Sequence, residues 1–266
     1  MMSIGMREWH SRMPIDIIHY PSPEAEATVI YAVGDIHGRL DLLLEMESLM
    51  ARDIANTQPA RAVICYLGDY IDRGLQSAQV IEHLSTNGSP DTPARVFLKG
   101  NHEDRMLAFL DDPEANGTGW LDYGGREALA SYGLAISAKP DAAGWIRLRD
   151  ELTQRLPPSH LQFLQALRLA FVWRDYIFVH AGLNPARPLE AQEPYDLMWI
   201  REAFVKSAHL WSHRIVHGHV VVPEPEFHAN RIAIDTGASR TGRLTTLVVS
   251  DAAPRLLQVT PSRATV

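Results

Sequence analysis

The sequence predicts an α/β protein, an α+β sandwich in which two mixed β-sheets pack together and are flanked by helices. Three observations predict this fold class. A short apolar run, a glycine turn and a helical pattern follow one another three times between residues 27 and 110, as expected of βαβ units. Helical patterns occupy about 116–167, and short strand patterns joined by turns fill the chain from 169 onward. We therefore expect a single domain over 27–260, preceded by an N-terminal arm at 1–26 and carrying a helical insertion at about 116–167.

The three cycles begin with short strands rich in β-branched or other apolar residues. The predicted strands are 27–33, 63–67 and 94–98. Apolar residues then recur at helical spacing, which predicts helices over 40–50, 77–84 and 105–110. This order indicates a largely parallel sheet, and side chains that follow the carboxyl ends of its strands are expected to meet at one edge.

The remaining elements are less regular. Pro14, Pro21 and Pro23 interrupt the first 26 residues, so we expect an irregular arm. The insertion begins with a Gly- and Trp-rich stretch, continues with helical patterns at 145–156 and from 159 onward, and is expected to roof the site. A second, more antiparallel sheet is expected from strands at 169–173, 176–179, 215–217, 231–234, 244–249 and 256–259.

Composition indicates a folded protein and argues against several partners. Of the 266 residues, 46% are hydrophobic, which is ordinary for a globular core. The formal net charge of −7 repels a long polyanion, so we expect no nucleic-acid partner, although a metal site creates its own positive field. The single cysteine, Cys65, lies in a strand pattern and is expected to be a small buried residue.

Targeting signals are not evident. The chain does not open with a basic stretch and an apolar segment, and no apolar run approaches the ~18 residues that span a bilayer. We therefore expect a cytoplasmic protein with no membrane contact. Nothing in the sequence indicates the oligomeric state.

Six short segments carry carboxylates, imidazoles and one neutral amide, mostly where an apolar run ends and a glycine turn begins. They are 34–38, 68–74, 100–103, 180–182, 217–219 and 235–237. Oxygen and nitrogen donors gathered in this way suit a pair of divalent metals, and an interleaved arginine suits a phosphate. The set predicts a two-metal phosphoesterase.

The metal ligands are predicted from residue type and spacing. Asp35 and His37 stand two apart in an extended segment, so both face one side and suit one ion. Asp69 begins the second loop and is the expected bridge between two ions about 3.5–4 Å apart. The mixture of imidazole and carboxylate suits Mn, and also Fe or Zn, better than Ca or an all-oxygen Mg site. Further predicted donors are Asn101, His180 and His219.

The same segments offer groups for phosphate chemistry. Metal-activated water is the predicted nucleophile, and His102, next to the ligand Asn101, is the predicted general acid for the leaving oxygen. Asp72 is expected to accept a hydrogen bond from His102 and keep it protonated. Arg73 suits two phosphate oxygens, and Arg201 is the candidate for a second contact. Asn101, being neutral, preserves the positive charge of the site.

Each motif taken singly also has a structural explanation, such as a surface ion pair or a turn. His217 is within reach of the ligand set, but packing within its strand is the preferred explanation. Trp120 and Tyr123 are candidates for the wall of the cleft or, more simply, for a turn packed on the core. Asp235 is a candidate for orienting a ligand histidine or capping a turn. The ordered set of six segments at strand ends favours a functional site over chance.

Segments 34–38, 68–74 and 100–103 resemble the signature of the calcineurin-like metallophosphoesterases. Within that family they resemble the PPP-type phosphoprotein phosphatases, because the Asp-Arg-Gly sequence at 72–74 is specific to that type. Segments 199–201, 218–219 and 234–238 are similar to the small bacterial and phage branch typified by lambda phage phosphatase. The motifs span residues 29–249. The chain lacks the C-terminal tail motif of the eukaryotic enzymes, Val220 stands where a threonine often follows the Gly-His pair, and the insertion matches only loosely.

The resemblance implies the metallophosphoesterase fold, two β-sheets between helical layers, with two divalent metal ions. It implies a first metal on Asp35, His37 and Asp69, and a second on Asp69, Asn101, His180 and His219. It also implies His102 and Asp72 as the acid pair, with substrate contacts from Arg73, Arg201 and Asn101.

Three functions compete at this point. The leading one is hydrolysis of phosphate monoesters of proteins, at phosphoserine and phosphothreonine, with phosphotyrosine as a further substrate. The alternative is hydrolysis of dinucleoside polyphosphates or other small phosphoesters. The Asp72-Arg73 pair favours the first, because related dinucleoside tetraphosphatases usually depart from it. A metal-holding scaffold without activity would lack a ligand or the acid, and neither is missing here.

Overall fold

The computed structural model describes residues 17–20, 27–86, 93–136 and 138–260. Two mixed β-sheets lie face to face, and helices cover the outer face of each sheet. The predicted fold class, two packed mixed sheets flanked by helices, is therefore confirmed.

The first sheet has five strands in the order β11-β10-β2-β3-β4. Strands β2 (Thr28–Val33), β3 (Arg61–Tyr66) and β4 (Ala94–Phe97) are parallel neighbours. Strand β10 (Leu244–Val249) pairs antiparallel with β2, and β11 (Arg255–Val259) pairs antiparallel with β10. The carboxyl ends of three consecutive strands of the chain therefore meet at one edge.

The second sheet has six strands in the order β1-β5-β6-β7-β9-β8. Three of its five pairings are parallel, namely β1 with β5, β6 with β7, and β7 with β9. The pairings of β5 with β6 and of β8 with β9 are antiparallel. The strands are β1 (Ile17–His19), β5 (Ala170–Trp173), β6 (Tyr176–Val179), β7 (Arg214–His217), β8 (Glu226–Phe227) and β9 (Arg231–Ala233).

Three helices connect or follow the parallel strands of the first sheet. They are α1 (Leu40–Thr57), α2 (Ser77–Thr86) and α3 (Asn101–Asp111). In α1 the buried residues Leu42, Leu43, Met46 and Met50 form one apolar stripe. This stripe belongs to a core cluster that also contains Tyr31 and Val33 of β2, so the helix covers the outer face of the first sheet.

The insertion is helical throughout most of its length. Its elements are α4 (Pro113–Trp120), a π-helical turn (Leu121–Gly125), α5 (Arg126–Ser131), α6 (Ala142–Arg155) and α7 (Pro158–Gln165). Asp112 and Asp141 start α4 and α6 as N-caps, each accepting a hydrogen bond from a backbone N–H of the first turn.

A central core separates the two sheets. Alternate residues of β3, such as Val63 and Cys65, face Phe178 of β6 and Val216 of β7. Behind the second sheet, short helical elements complete a further cluster that includes Phe204. These elements are a 3₁₀ turn (Leu189–Ala191), α8 (Pro194–Trp199) and α9 (Glu202–Val205), and the last helix, α10 (Ala238–Thr241), precedes β10.

Several local expectations differ from the structure. Strands β10 and β11 join the first sheet, and the second sheet has more parallel than antiparallel pairings. Within the arm that was expected to be irregular, Ile17–His19 forms strand β1, while 1–16 and 21–26 lie outside the described residues. The division into arm, domain and insertion stays a prediction. Among the helices of the described chain, none is long and apolar enough to cross a bilayer.

Candidate active site

The predicted site residues all follow the ends of strands. Asp35 and His37 follow β2, Asp69 follows β3, and Asn101 is the first residue of α3, just after β4. In the second sheet, His180 directly follows β6, and His219 lies two residues beyond β7. Since β2, β3 and β4 are parallel neighbours, as are β6 and β7, each sheet brings its residues to one edge. The two edges meet at the site.

Backbone hydrogen bonds fix these loops to one another. The N–H groups of Ile36 and His37 both donate to the carbonyl of Asp69, at 3.1 and 2.8 Å. In the second sheet, the N–H of Gly218 donates to the carbonyl of His180 at 2.9 Å. Gly218 is required here, because a Cβ at this position would lie 2.1 Å from Oδ1 of Asp35.

Glu103 holds the second loop against the start of α3. Its fully buried carboxylate accepts hydrogen bonds from the backbone N–H of Asp69 (2.9 Å), Tyr70 (2.7 Å), Ile71 (3.2 Å) and Gly100 (2.9 Å). This role of Glu103 is not among the predictions from the sequence. The available signal was the position of Glu103 three residues after Gly100, where a glutamate reaches back to the helix start.

The backbone of the site is unusually strained. Seven non-glycine residues of the described chain have positive φ, and five of them belong to the candidate site. These five are His37, Asp69, Asp72, Arg73 and His219, with φ between 48° and 70°. Such conformations cost about 1–2 kcal/mol each for an L-residue, and they cluster where function requires a fixed side chain direction.

Asp69 lies between two groups of potential ligands. Its Oδ2 is 3.5 Å from Nε2 of His37, and its Oδ1 is 3.4 Å from Nε2 of His180. The ligand atoms of His37, Asp69 and His102 lie within 4.8 Å of one another, and so do those of Asp69, His180 and His219. Asp69 is the residue common to both groups, as expected of a bridging carboxylate.

The histidines of these groups present a lone pair to the site. Nδ1 of His37 donates to the carbonyl of Ile71 at 2.9 Å, and Nδ1 of His180 donates to that of Leu67 at 2.9 Å. Since a carbonyl only accepts, Nε2 of each ring is left unprotonated. Burial lowers the pKa of both histidines and of His219, so that all three are neutral at pH 7.

Asp35 lies beside these groups without belonging to either of them. Its carboxylate accepts the backbone N–H of His219 at 3.2 and 3.3 Å. Burial, and next the charges of Asp235 and Asp69, raise the pKa of Asp35 well above its ordinary value. Burial also raises the pKa of Asp235 to about 6. These buried carboxylates repel one another unless a cation lies among them.

His102 and Asp72 form the predicted pair. Nδ1 of His102 lies 2.7 Å from Oδ2 of Asp72, and both side chains are fully buried. Nε2 of His102 has no hydrogen-bond partner among the described residues and lies 3.8 Å from Oδ2 of Asp69. By distance His102 belongs to the ligand group of His37 and Asp69.

Trp120 adds a third member to this pair. Its indole Nε1 donates to both carboxylate oxygens of Asp72, at 3.1 Å each. Trp120 is fully buried and belongs to α4 of the insertion. From the sequence, Trp120 was a candidate for the cleft wall or for a turn packed on the core. The contact with Asp72, 48 residues earlier in the chain, was not visible in any local pattern.

Arg73 and Arg201 are exposed and line one cavity of about 940 Å³ together with His219. Nη1 of Arg73 donates to Nε2 of His37 at 2.8 Å, so the guanidinium already reaches the ligand cluster. The backbone N–H of Arg73 donates to the carbonyl of Gly124 in the insertion, at 3.1 Å. Gly124 has φ 106°, and a Cβ there would lie 2.6 Å from the Arg73 nitrogen.

His217 lies outside both ligand groups. Its ring packs edge-on against Phe204, with centroids 5.0 Å apart, and its Nδ1 lies 3.0 Å from the carbonyl of Gly218. Burial lowers the pKa of His217 to about 3. The structure therefore agrees with the preferred explanation, packing behind the site.

Comparison with known protein families matches residues 28–242 to the calcineurin-like phosphoesterase model. The chain belongs to the calcineurin-like phosphoesterase family. The resemblance seen in the sequence is confirmed, and the chain is a phosphoesterase.

Relatives within the calcineurin-like phosphoesterases carry more than one name. Serine/threonine-protein phosphatase 2 of Salmonella typhimurium is 27% identical over 227 residues, which cover 81% of this chain and 90% of the relative. Bis(5'-nucleosyl)-tetraphosphatase PrpE of Anoxybacillus flavithermus is 23% identical over 234 residues, which cover 81% and 88%. The solved structure of a putative diadenosine tetraphosphatase superposes with a TM-score of 0.62 at 17% identity, covering 94% of this chain and all of the other.

Calcineurin-like phosphoesterases use divalent metals, and the residues of this chain fit them. Nε2 of His219 is buried and has no hydrogen-bond partner in the described part of the chain. Nε2 of His180 faces Oδ1 of Asn101 at 3.1 Å, so two electron-pair donors lie close together. A cation bound to both atoms would stabilise this arrangement. The buried carboxylates of Asp35 and Asp69 also require positive charge nearby. The described site therefore offers the donor set of a two-metal centre.

Proposed function

We propose that this calcineurin-like phosphoesterase is a binuclear metallophosphatase that hydrolyses phosphate monoesters of proteins, at phosphoserine and phosphothreonine and, as a further case, at phosphotyrosine. The observation that carries the proposal is the pair of ligand groups sharing Asp69, next to the buried His102–Asp72 pair and open to a cavity lined by Arg73 and Arg201. The relatives named serine/threonine-protein phosphatase 2 support the choice of a protein substrate.

Two divalent ions, with manganese as the preferred metal and iron or zinc as alternatives, would lower the pKa of a bound water and so supply the nucleophile. Asp35, His37 and Asp69 would hold one ion. Asp69, Asn101, His180 and His219 would hold the other. The mixture of carboxylate, amide and imidazole donors suits these metals better than Ca²⁺ or an all-oxygen Mg²⁺ site.

The remaining residues act on the substrate. His102 would donate a proton from Nε2 to the leaving oxygen, because its Nδ1 is held by the Asp72 carboxylate at 2.7 Å. Arg73 and Arg201 would bind phosphate oxygens as charged hydrogen-bond donors. Asn101 would contribute both to the metal site and to substrate contact without adding negative charge. Each of these roles is supported by position and burial.

The first experiment is an activity assay with purified protein and p-nitrophenyl phosphate. We expect turnover with Mn²⁺ and none after chelation. Failure to turn over with any of Mn²⁺, Fe²⁺, Zn²⁺, Co²⁺ or Ni²⁺ would refute the proposed enzyme function. Competition with a phosphoserine peptide, which should inhibit hydrolysis of the chromogenic substrate, then tests whether the same site accepts the protein substrate.

A second candidate, hydrolysis of dinucleoside polyphosphates, is favoured by the relative named bis(5'-nucleosyl)-tetraphosphatase and by the size of the cavity. At about 940 Å³ the cavity is in the upper range for small-molecule sites, of about 300–1,000 Å³. Comparing kcat/KM for phosphopeptides and for diadenosine tetraphosphate decides between the two. We further propose a cytoplasmic protein that binds neither nucleic acid nor membrane, in keeping with its net charge of −7.

A further inference from the structure

The cavity that contains Arg73 and Arg201 extends well beyond the metal-binding groups. Its lining also includes Tyr123 and Arg126 of the insertion and Arg240 of α10. A single phosphoryl group occupies only a small part of a cavity of about 940 Å³. The rest of this volume is therefore available to the part of the substrate that does not react.

The lining of this cavity carries more positive than negative charge. Four arginines line it, against the two carboxylates Asp122 and Glu127. No ion pair joins any of these arginines to a carboxylate of the described residues. Other surface arginines, such as Arg187, Arg243 and Arg255, do pair with carboxylates. In a chain of net charge −7, an unpaired positive cluster inside a cavity indicates an anionic ligand.

Arg126 and Arg240 have most of their donors available. Nη1 of Arg126 donates to the carbonyl of Ile136 at 3.2 Å, which orients the guanidinium and leaves its other N–H groups unused. The side chain of Arg240 makes no hydrogen bond within the part of the chain that the structure describes. Both side chains are exposed, so a ligand can reach them without a change in the fold.

Tyr123 gives the same lining a fixed apolar surface. The residue is 47% exposed, and the guanidinium of Arg105 lies 4.0 Å from its ring centroid. Arg105, in α3, in turn lies 4.6 Å from the ring centroid of Trp199 at the end of α8, so the tyrosine is held by a stacked arrangement that joins the insertion to these two helices.

We propose that Arg126 and Arg240 form a distal anion subsite that binds a second negatively charged group of the substrate while its scissile phosphate is at the metal site. This inference rests on the proposed function and specifies its substrate class: a phosphoester that carries another anionic group. That group is a carboxylate or phosphate beside the phosphorylated residue of a peptide, or a further phosphate of a polyphosphate chain. Arginine binds all of these through charged, bidentate hydrogen bonds.

The test compares substrates with and without a second anion. We would measure kcat/KM for a phosphoserine peptide flanked by glutamates and for the same peptide flanked by glutamines, and likewise for diadenosine tetraphosphate and p-nitrophenyl phosphate. For each pair, the ratio is kcat/KM of the substrate with the second anion divided by kcat/KM of the substrate without it. The double variant Arg126→Gln/Arg240→Gln should lower this ratio for at least one pair by about tenfold, as expected for two exposed charge pairs. The pair that responds identifies the source of the second anion.

Two controls make the result decisive. Arg52→Gln removes an equally exposed arginine from α1, outside the cavity, and should keep the wild-type ratios. Arg126→Lys/Arg240→Lys keeps the charge and should retain more of the ratio than the glutamine variant. Unchanged ratios in a folded glutamine variant, checked by its thermal midpoint, would overturn the distal subsite. Absence of turnover of p-nitrophenyl phosphate by the wild type would instead refute the proposed function.

Discussion

The hydrogen bond from Trp120 to Asp72 gives the sharpest test of the proposed acid. Asp72 is fully buried, and its carboxylate oxygens are bound by two side chains, Nδ1 of His102 at 2.7 Å and Nε1 of Trp120 at 3.1 Å to each oxygen. Trp120→Phe removes the second donor. It retains an aromatic ring against Phe109, whose centroid lies 4.9 Å from the ring of Trp120.

The expected magnitude follows from the loss of a hydrogen bond to a buried charge, about 1.5–3 kcal/mol. Burial already raises the pKa of Asp72, and the hydrogen bonds from His102 and Trp120 oppose that rise. Without the hydrogen bond from Trp120 the pKa of Asp72 should rise further, because one of the groups that stabilise the charged carboxylate is lost. A more readily protonated Asp72 holds His102 less well, so kcat on a phosphoserine peptide should fall about 10- to 100-fold.

The sign of the pH effect is also fixed. Because Asp72 must be ionised to hold His102, a higher pKa moves the acid-side fall of kcat toward higher pH. p-Nitrophenyl phosphate should be affected less, because its leaving group needs no proton. Steady-state kinetics on both substrates between pH 5 and pH 9, with metal content measured in parallel, provide the assay.

Trp145→Phe is the matched control, because its indole lies in the same aromatic cluster, 6.3 Å from the ring of Phe109, and makes no hydrogen bond to Asp72. The reasoning fails if Trp120→Phe leaves kcat unchanged on the peptide. It also fails if both substrates slow equally, or if Trp145→Phe shows the same selective loss.

Three further predictions follow from the site. His102→Asn should lower kcat on a phosphoserine peptide by roughly 10²–10⁴-fold while both metals stay bound, and an unchanged rate would remove His102 as the acid. Chelation should lower the thermal midpoint, since metal at 100 times its Kd stabilises a fold by about 2.7 kcal/mol. In differential scanning fluorimetry, chelation should lower the midpoint of Asp69→Asn much less, because Asp69 is common to both ligand groups. The pKa of His217 is about 3 in the folded protein and ~6.5 in the unfolded chain. The free energy of unfolding should therefore decrease as pH falls from ~6.5 toward 3, by about 2 kcal/mol at pH 5. Urea denaturation of the chelated protein at pH 5 and pH 7 should show a smaller pH effect in His217→Phe, and equal pH effects would contradict this.

The sequence predicts the composition of the site better than the topology around it. Asp35, Asp69 and Asn101 follow three strands that pair in parallel, so strand order alone is enough to predict that they meet. The residues of a strand, in contrast, do not determine which other strand it pairs with. Strand β10 reads as another short strand near β9, yet it pairs with β2, more than 200 residues earlier. The expectation of a more antiparallel second sheet failed for this reason.

The roles of Glu103 and Trp120 depend on contacts that short motifs do not encode. Glu103 could have been found from its helix-start position, because that geometry is local. Trp120 could not, because its contact with Asp72 requires the insertion to fold back over the loop after β3. The five residues of the site with positive φ were equally hidden, since aspartate and histidine are enriched at positive φ but still adopt negative φ at most positions.

The insertion therefore links substrate choice to catalysis. Its residues Tyr123 and Arg126 line the cavity, while Trp120 holds Asp72 and the carbonyl of Gly124 holds the backbone of Arg73. A change of specificity through this segment is constrained, because the wall proposed to select the substrate also contacts Asp72, the partner of the proposed proton donor, and Arg73, a proposed phosphate ligand. Substitutions at Arg126 should alter substrate preference while leaving the His102–Asp72 geometry in place. Substitutions at Trp120 should slow the chemical step for substrates whose leaving group needs a proton, whereas substitutions at Gly124 should act on every substrate through Arg73. Comparing the two classes of variant on one pair of peptides separates recognition from catalysis within a single segment of the chain.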